Sequence, residues 1–131
     1  MRKIRLLIIH CSDSDHPKHD NIDIINRWHL ERGFTGVGYQ YFIRTDGLLE
    51  IGRPMRDPGA HCKGFNHSSV GICLSGKEVF TKAQFDTLEK LCINLMDIFE
   101  LEAKDILGHS ELNDGKSCPN FDIQAFRQKL I

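Results

Sequence analysis

The sequence has no hydrophobic run long enough to cross a bilayer. The opening apolar stretch, Leu6-Leu7-Ile8-Ile9, stops at His10-Cys11, far short of the roughly 20 residues a spanning helix needs. Met1-Arg2-Lys3 ahead of it superficially resembles the start of a signal peptide, but no small-residue cleavage site follows. The expectation is therefore synthesis in the cytoplasm, without export by the general route and without membrane insertion. An excess of one charge is missing too. The 17 Lys and Arg against 18 Asp and Glu leave a net charge of −1, and no basic arm or stripe offers a footprint for nucleic acid. Neither CxxC nor HExxH occurs, and five cysteines cannot all pair within the chain. Reduced thiols, some buried as small hydrophobes, are the expected state. The missing CxxC also weighs against a thiol-redox enzyme working through Cys11 or Cys62.

What remains is the composition of an ordinary globular protein, 40% apolar and 27% charged, over 131 residues. That length suits one domain, 1–131, burying roughly two-thirds of its unfolded surface. No internal repeat or low-complexity segment interrupts it. Ile4 to Ile9 reads as a buried strand. Asn21 to Arg32 reads as a helix capped by Asp20 or Asn21 and stopped by Gly33, with Ile22, Ile25 and Trp28 facing the core. Tyr39 to Arg44 is an aromatic-rich strand, and Asp46-Gly47 is a two-residue hairpin signal leading into Leu48 to Ile51. Simple alternation puts Tyr39 and Tyr41 on the same face, so periodicity does not choose between them. Gly52 to Ser69 is irregular, and its polar side chains (His61, Cys62, Lys63, Asn66, His67) suit either a surface loop or a polar ligand site. Val70 to Leu74 is a further strand. Thr81 with Gln84 forms a capping box before a long helix whose stripe is Phe85, Leu88, Leu91, Cys92, Leu95 and Phe99. Asp122 caps a last helix running to Leu130, with Phe121 and Phe126 at hydrophobic-staple positions. Strands interleaved with helices, plus one hairpin, predict an α/β domain with a central mixed sheet flanked by helices.

The densest chemistry lies in Gly108-His109-Ser110-Glu111-Leu112-Asn113-Asp114-Gly115-Lys116-Ser117-Cys118-Pro119. Imidazole and thiolate together suit zinc, and the turn residues between them allow both to face one point. A third ligand from elsewhere would leave one coordination position open, as in catalytic zinc sites. The spacing alone does not establish a metal site. His10, at the end of the first strand, reads on its own as a strand-end residue, and His16 and His19 read as solvated loop histidines.

Four segments in register resemble the zinc-dependent N-acetylmuramoyl-L-alanine amidases of the phage lysozyme and peptidoglycan-recognition-protein superfamily. These are Ile8-Ile9-His10-Cys11-Ser12; Val37-Gly38-Tyr39 through Phe42-Ile43-Arg44-Thr45-Asp46-Gly47; Gly59-Ala60-His61-Cys62-Lys63-Gly64-Phe65-Asn66-His67 into Ser69-Val70-Gly71-Ile72-Cys73-Leu74; and Gly108-His109 through Lys116-Ser117-Cys118-Pro119. The resemblance implies that His10, His109 and Cys118 hold Zn²⁺. It selects Tyr39 over Tyr41 as a catalytic residue, pairs it with Lys116, and puts His61 and Asn66 in the substrate groove. Gln40 departs from the family pattern, in which histidine is common after the tyrosine. The implied reaction is hydrolysis of the amide between N-acetylmuramic acid and L-alanine, with peptidoglycan or a muropeptide as substrate. The enzyme would then act on the cell wall after release, or on muropeptides in the cytoplasm. A non-catalytic peptidoglycan-binding module on the same fold is the alternative. The resemblance associates that alternative with loss of the cysteine ligand, whereas Cys118 is present here.

Overall fold

The computed structural model describes residues 2–131. Five strands form one mixed sheet: β1 (Leu6–Cys11), β2 (Tyr41–Ile43), β3 (Leu49–Ile51), β4 (Ser69–Leu74) and β5 (Ile106–Gly108), in the spatial order β3-β2-β4-β1-β5. β1 lies parallel to both β4 and β5, and β2 is parallel to β4; only the β2–β3 hairpin is antiparallel. The helices are α1 (Ile22–Glu31), α2 (Lys82–Phe99), the single turn α3 (His109–Leu112) and α4 (Ile123–Gln128). This is the expected α/β architecture with a central mixed sheet.

Local chemistry accounts for most of the boundaries. Asn21 caps α1 by accepting from the Ile24 amide. Thr81 and Gln84 form the reciprocal capping box of α2, and Asp122 accepts from the Ala125 amide to open α4. Each cap satisfies amides that the helix itself leaves unpaired, an effect typically of about 1 kcal/mol. The Asp46-Gly47 turn is present but wider than two residues. Arg44 and Leu48 still bond, and Gly47 donates to the Arg44 carbonyl at φ +86. The loop therefore has three residues with glycine in the left-handed position.

The central strands β1 and β4, buried on both faces, divide the interior. Leu7 and Ile9 join Ile43, Val70, Ile72 and Leu74 against Leu88, Leu91, Cys92 and Leu95 of α2, forming the apolar core. Full burial of such side chains contributes about 1.5–3 kcal/mol each. Ile8 and His10, pointing the other way, share their face with Gly71 and Cys73 through the β1–β4 register. Phe121 and Phe126 both pack on the core, and Phe121 makes edge contacts with Phe80 and Phe85 at centroid distances of 5.2 and 5.0 Å.

Two expectations are corrected. Tyr39 and Tyr41 do not share a face: the strand begins only at Tyr41, which packs toward the α2 core, while Tyr39 turns to the His10 side. Strand alternation breaks at Gln40, where the chain bends between the two tyrosines just ahead of β2. Trp28 is only partly buried and borders a cavity, instead of filling the core. Gln40 is almost wholly buried and bridges backbone, accepting from the Gly71 amide and donating to the Asp57 carbonyl. It thereby ties the irregular 52–68 segment to β4.

Candidate metal centre

Parallel pairing brings the distant ends of the chain together. Ile9 of β1 is in register with Gly108 of β5, so His10 and His109, each one residue on, emerge side by side at the carboxyl ends of the strands. Such edges are where open α/β sheets bind ligands. His10 and His109 are both buried, with ring centroids 4.5 Å apart. Cys118 returns to the same point because its carbonyl accepts from the Ser110 amide at 2.9 Å. The returning loop is braced by Glu111, which accepts from the Gly108 amide and takes a two-pronged ion pair from Arg127 of α4 at 2.6 and 2.9 Å. That pairing holds the Glu111 carboxyl below its usual pKa.

The Cys118 sulfur lies 3.4 Å from Nδ1 of His109 and 3.9 Å from Nδ1 of His10. One donor atom from each of the three residues falls within 4.8 Å of the others. A tetrahedral zinc ion, with bonds of about 2.0–2.1 Å to nitrogen and 2.3 Å to sulfur, separates such donors by roughly 3.5 Å. Two imidazoles and one thiolate therefore fit the size and softness of that ion, with a coordination position left over. The Cys118 thiol is held far below its ordinary pKa, chiefly by the adjoining Cys11 thiol, against the opposing effect of burial. Cys11 moves the other way, raised by the Cys118 thiolate and by its own burial. Cys118 is thus the thiolate of this pair.

A cavity of about 650 Å³ opens over the three donors. Tyr39 lines it, its ring 4.9 Å from that of His10. Burial raises the phenol well above its usual pKa, with the sulfurs of Cys73, Cys118 and Cys11 adding to the effect. Tyr39 consequently stays protonated. Lys116 stands exposed on the rim, two residues from Cys118, its amide bonded to the Asn113 carbonyl. All seven residues singled out from the sequence (His10, Tyr39, His61, Asn66, His109, Lys116 and Cys118) line this one cavity.

The structure adds detail the sequence does not reveal. Asn66 Oδ1 accepts from the amides of His61 and Cys62 at 2.9 and 3.0 Å, folding the loop that carries His61. His61 Nδ1 lies 2.8 Å from Nε2 of His10. Burial, reinforced by His10 and His109, pushes the His61 pKa down to about 2, so its ring is neutral. His29 on α1 accepts from the Gly38 amide at 2.8 Å and fixes the bend ahead of Tyr39. Trp28, Arg32 and Phe34 form an aromatic and basic side wall on the α1 side of the cavity. Only their helical or loop position hints at this in the sequence, because their contacts with the cavity depend on how α1 packs.

A profile of the family described as N-acetylmuramoyl-L-alanine amidase matches residues 1–121. The endolysin of Escherichia phage T7 is 34% identical, the alignment covering 94% of this chain and 85% of the phage protein. Among solved structures, N-acetylmuramoyl-L-alanine amidase LysC from Clostridium intestinale URNW superposes with a TM-score of 0.89 at 28% identity, over 98% of this chain and 86% of its own. A variant of Drosophila PGRP-LB in complex with tracheal cytotoxin superposes with a TM-score of 0.74 at 28% identity, over 91% and 76%.

Proposed function

Because this chain belongs to the N-acetylmuramoyl-L-alanine amidase family, and is on that ground a peptidoglycan amidase, we propose that it works as a zinc enzyme through the residues gathered in its cavity. The observation that carries the proposal is the convergence of His10, His109 and Cys118 donor atoms within 4.8 Å beneath a cavity that Tyr39 and Lys116 also line. His10 and His109 would hold zinc through Nδ1 and Cys118 through its sulfur. The bond cut is the amide between the lactyl group of N-acetylmuramic acid and L-alanine.

When bound, zinc supplies Lewis-acid activation of water and of the scissile carbonyl near neutral pH. The remaining work belongs to the chain. The thiolate of Cys118 balances part of the metal charge and is committed as a ligand, not as a nucleophile. Tyr39, kept protonated by burial, donates a hydrogen bond toward the carbonyl oxygen as negative charge develops there. Lys116, tethered two residues from Cys118, reaches the same oxygen from the rim and supplies a full positive charge. Donors of this kind typically contribute about 10²–10³ in rate. Asn66 shapes the loop on which His61 borders the cavity, next to the muramyl–alanine junction.

Similarity to phage endolysins supports action on the bacterial cell wall. Among the described residues, no helix is long and apolar enough to cross a membrane. The rival reading, a binding module without activity, predicts a disrupted donor set, and the intact His10, His109 and Cys118 triad speaks against it. The deciding experiment is incubation of the zinc-loaded protein with purified sacculi and identification of the new ends. Free L-alanine amino termini, with about one zinc per chain by mass spectrometry, are expected. New reducing sugars without new amino termini would overturn the reading.

A further inference from the structure

We propose that His61 is a positioning residue whose task is to fix the tautomer of His10, within a hydrogen-bond chain anchored on the Phe65 carbonyl. The inference builds on the reading of His10 as a metal ligand through Nδ1. The chain runs from Phe65 O to Ser69 Oγ at 2.7 Å, from Ser69 Oγ to His61 Nε2 at 3.3 Å, and from His61 Nδ1 to His10 Nε2 at 2.8 Å.

Its polarity follows from one end. A carbonyl oxygen only accepts, so the single hydroxyl proton of Ser69 is spent on Phe65 O, the shorter of its two contacts. Ser69 Oγ then meets His61 Nε2 with a lone pair, and that nitrogen must carry the proton. A neutral imidazole has one N–H, which leaves His61 Nδ1 as an acceptor. His10 Nε2 must therefore donate to it, and His10 Nδ1 is left with a free lone pair. Nδ1 is the nitrogen that faces Cys118 and His109. The chain thus prepares the donor atom that a metal requires, four groups back from the site. Metal-ligating histidines characteristically donate their other N–H to such a partner.

The surrounding residues are fitted to this task. Ser69 is fully buried. A Cβ on Gly71 would come within 2.6 Å of the His61 ring and one on Gly59 within 2.5 Å, so the imidazole is held between two glycines. Asn66 fixes the backbone amide of His61. With both ring nitrogens engaged, His61 has no free polar atom with which to recognise substrate. Its influence passes through His10.

The test uses the full chain in two measurements. Long-range ¹H–¹⁵N spectra of the metal-free protein report the protonated nitrogen of each imidazole directly. The expected result is Nε2–H on both His10 and His61, with Ser69→Ala allowing His61 to sample both tautomers and Ser69→Thr restoring the single one. Chelator competition then gives zinc affinity. His61→Ala is expected to weaken it about 10–100-fold, and His61→Asn, which keeps an acceptor near the Nδ1 position, to recover most of the loss. A His10 Nδ1–H tautomer in the metal-free wild type, or unchanged zinc affinity in a folded His61→Ala, overturns the inference. Failure of the wild type to take up zinc would instead sink the metal reading, while the two tautomers stay readable in the same sample.

Discussion

At the scale of single residues, the site separates into groups that hold charge and groups that avoid it. Lys116 is an exposed cation at a rim, so removing it leaves no hole in the interior and no unpaired ligand. Lys116→Ala should lower turnover on sacculi by about 10²–10³-fold with zinc content near one per chain; undiminished turnover would remove Lys116 from the mechanism. His29 is the opposite case. It is 5% exposed, accepts from the Gly38 amide, and is held neutral to about pH 4 against an ordinary value of 6.5. Burial is the main cause, with Arg32, Arg53 and His10 opposing a further charge. The folded pKa lies below the unfolded one, so the unfolded chain binds the extra proton. Above pH 6.5 His29 imposes no penalty. As pH falls from 6.5 to 4 stability is lost progressively, by about 2–3 kcal/mol in all, and below pH 4 the loss from this group is constant. His29→Asn keeps an acceptor and cannot titrate, so urea unfolding at pH 4 and at pH 7 should differ less for it than for wild type. Equal pH dependence in the two proteins would show that His29 is not responsible.

At the scale of elements, the site is assembled by sheet register and by what glycine permits. β4 runs through the centre of the sheet, and Gly71 on it leaves the space that the His61 ring occupies. Gly71→Ala adds a single methyl at a position fully compatible with a strand, yet one that meets ring atoms at 2.6–2.8 Å. The sheet should persist by circular dichroism while zinc affinity falls as far as in His61→Ala. Unaltered affinity would mean that the ring relocates freely and that its placement is unimportant. The same contrast explains what was legible in the sequence. Signals written within four residues are readable: the caps at Asn21, Thr81 with Gln84, and Asp122, and the glycine of the Asp46-Gly47 turn. Contacts between distant segments are not. Nothing local to His10 states that β1 will pair in parallel with β5 and set it beside His109, and only the family resemblance brought the two together. Alternation does not place Tyr39, because β2 begins only at Tyr41, two residues on. Trp28 read as core because helical spacing records which side of α1 is apolar, but not that this side ends at an open cavity. The placing of His61 in the groove comes from the family resemblance alone, and its bond to His10 has no local signal. Its partner lies 51 positions away, and composition says nothing of tautomers.

At the scale of the whole molecule, the metal would act as a clip between the two ends of the chain. His10 belongs to β1, whereas His109 and Cys118 bracket a loop that follows β5 and leads into α4. Each cross-link of this kind closes a loop of about a hundred residues, where constraint of the unfolded chain is largest in principle. α2 carries no ligand and packs on the other face of the sheet, against Leu7, Ile9 and Ile72. Zinc that binds only the folded chain, at a free concentration a hundredfold above its dissociation constant, stabilises by about 2.7 kcal/mol. Chelation should therefore lower Tm by several degrees, and Cys118→Ser should have a Tm that responds far less to the chelator. The loss should also be uneven. Amides of β5 and α4 should exchange faster in the metal-free protein through local opening, while those in the middle of α2 keep the protection set by the apolar core. A uniform gain in exchange across α2 and β5 would mean that the clip is felt only through global unfolding. A Tm indifferent to chelation would mean that no clip exists, and the convergence of the three donors would then need a purpose other than metal.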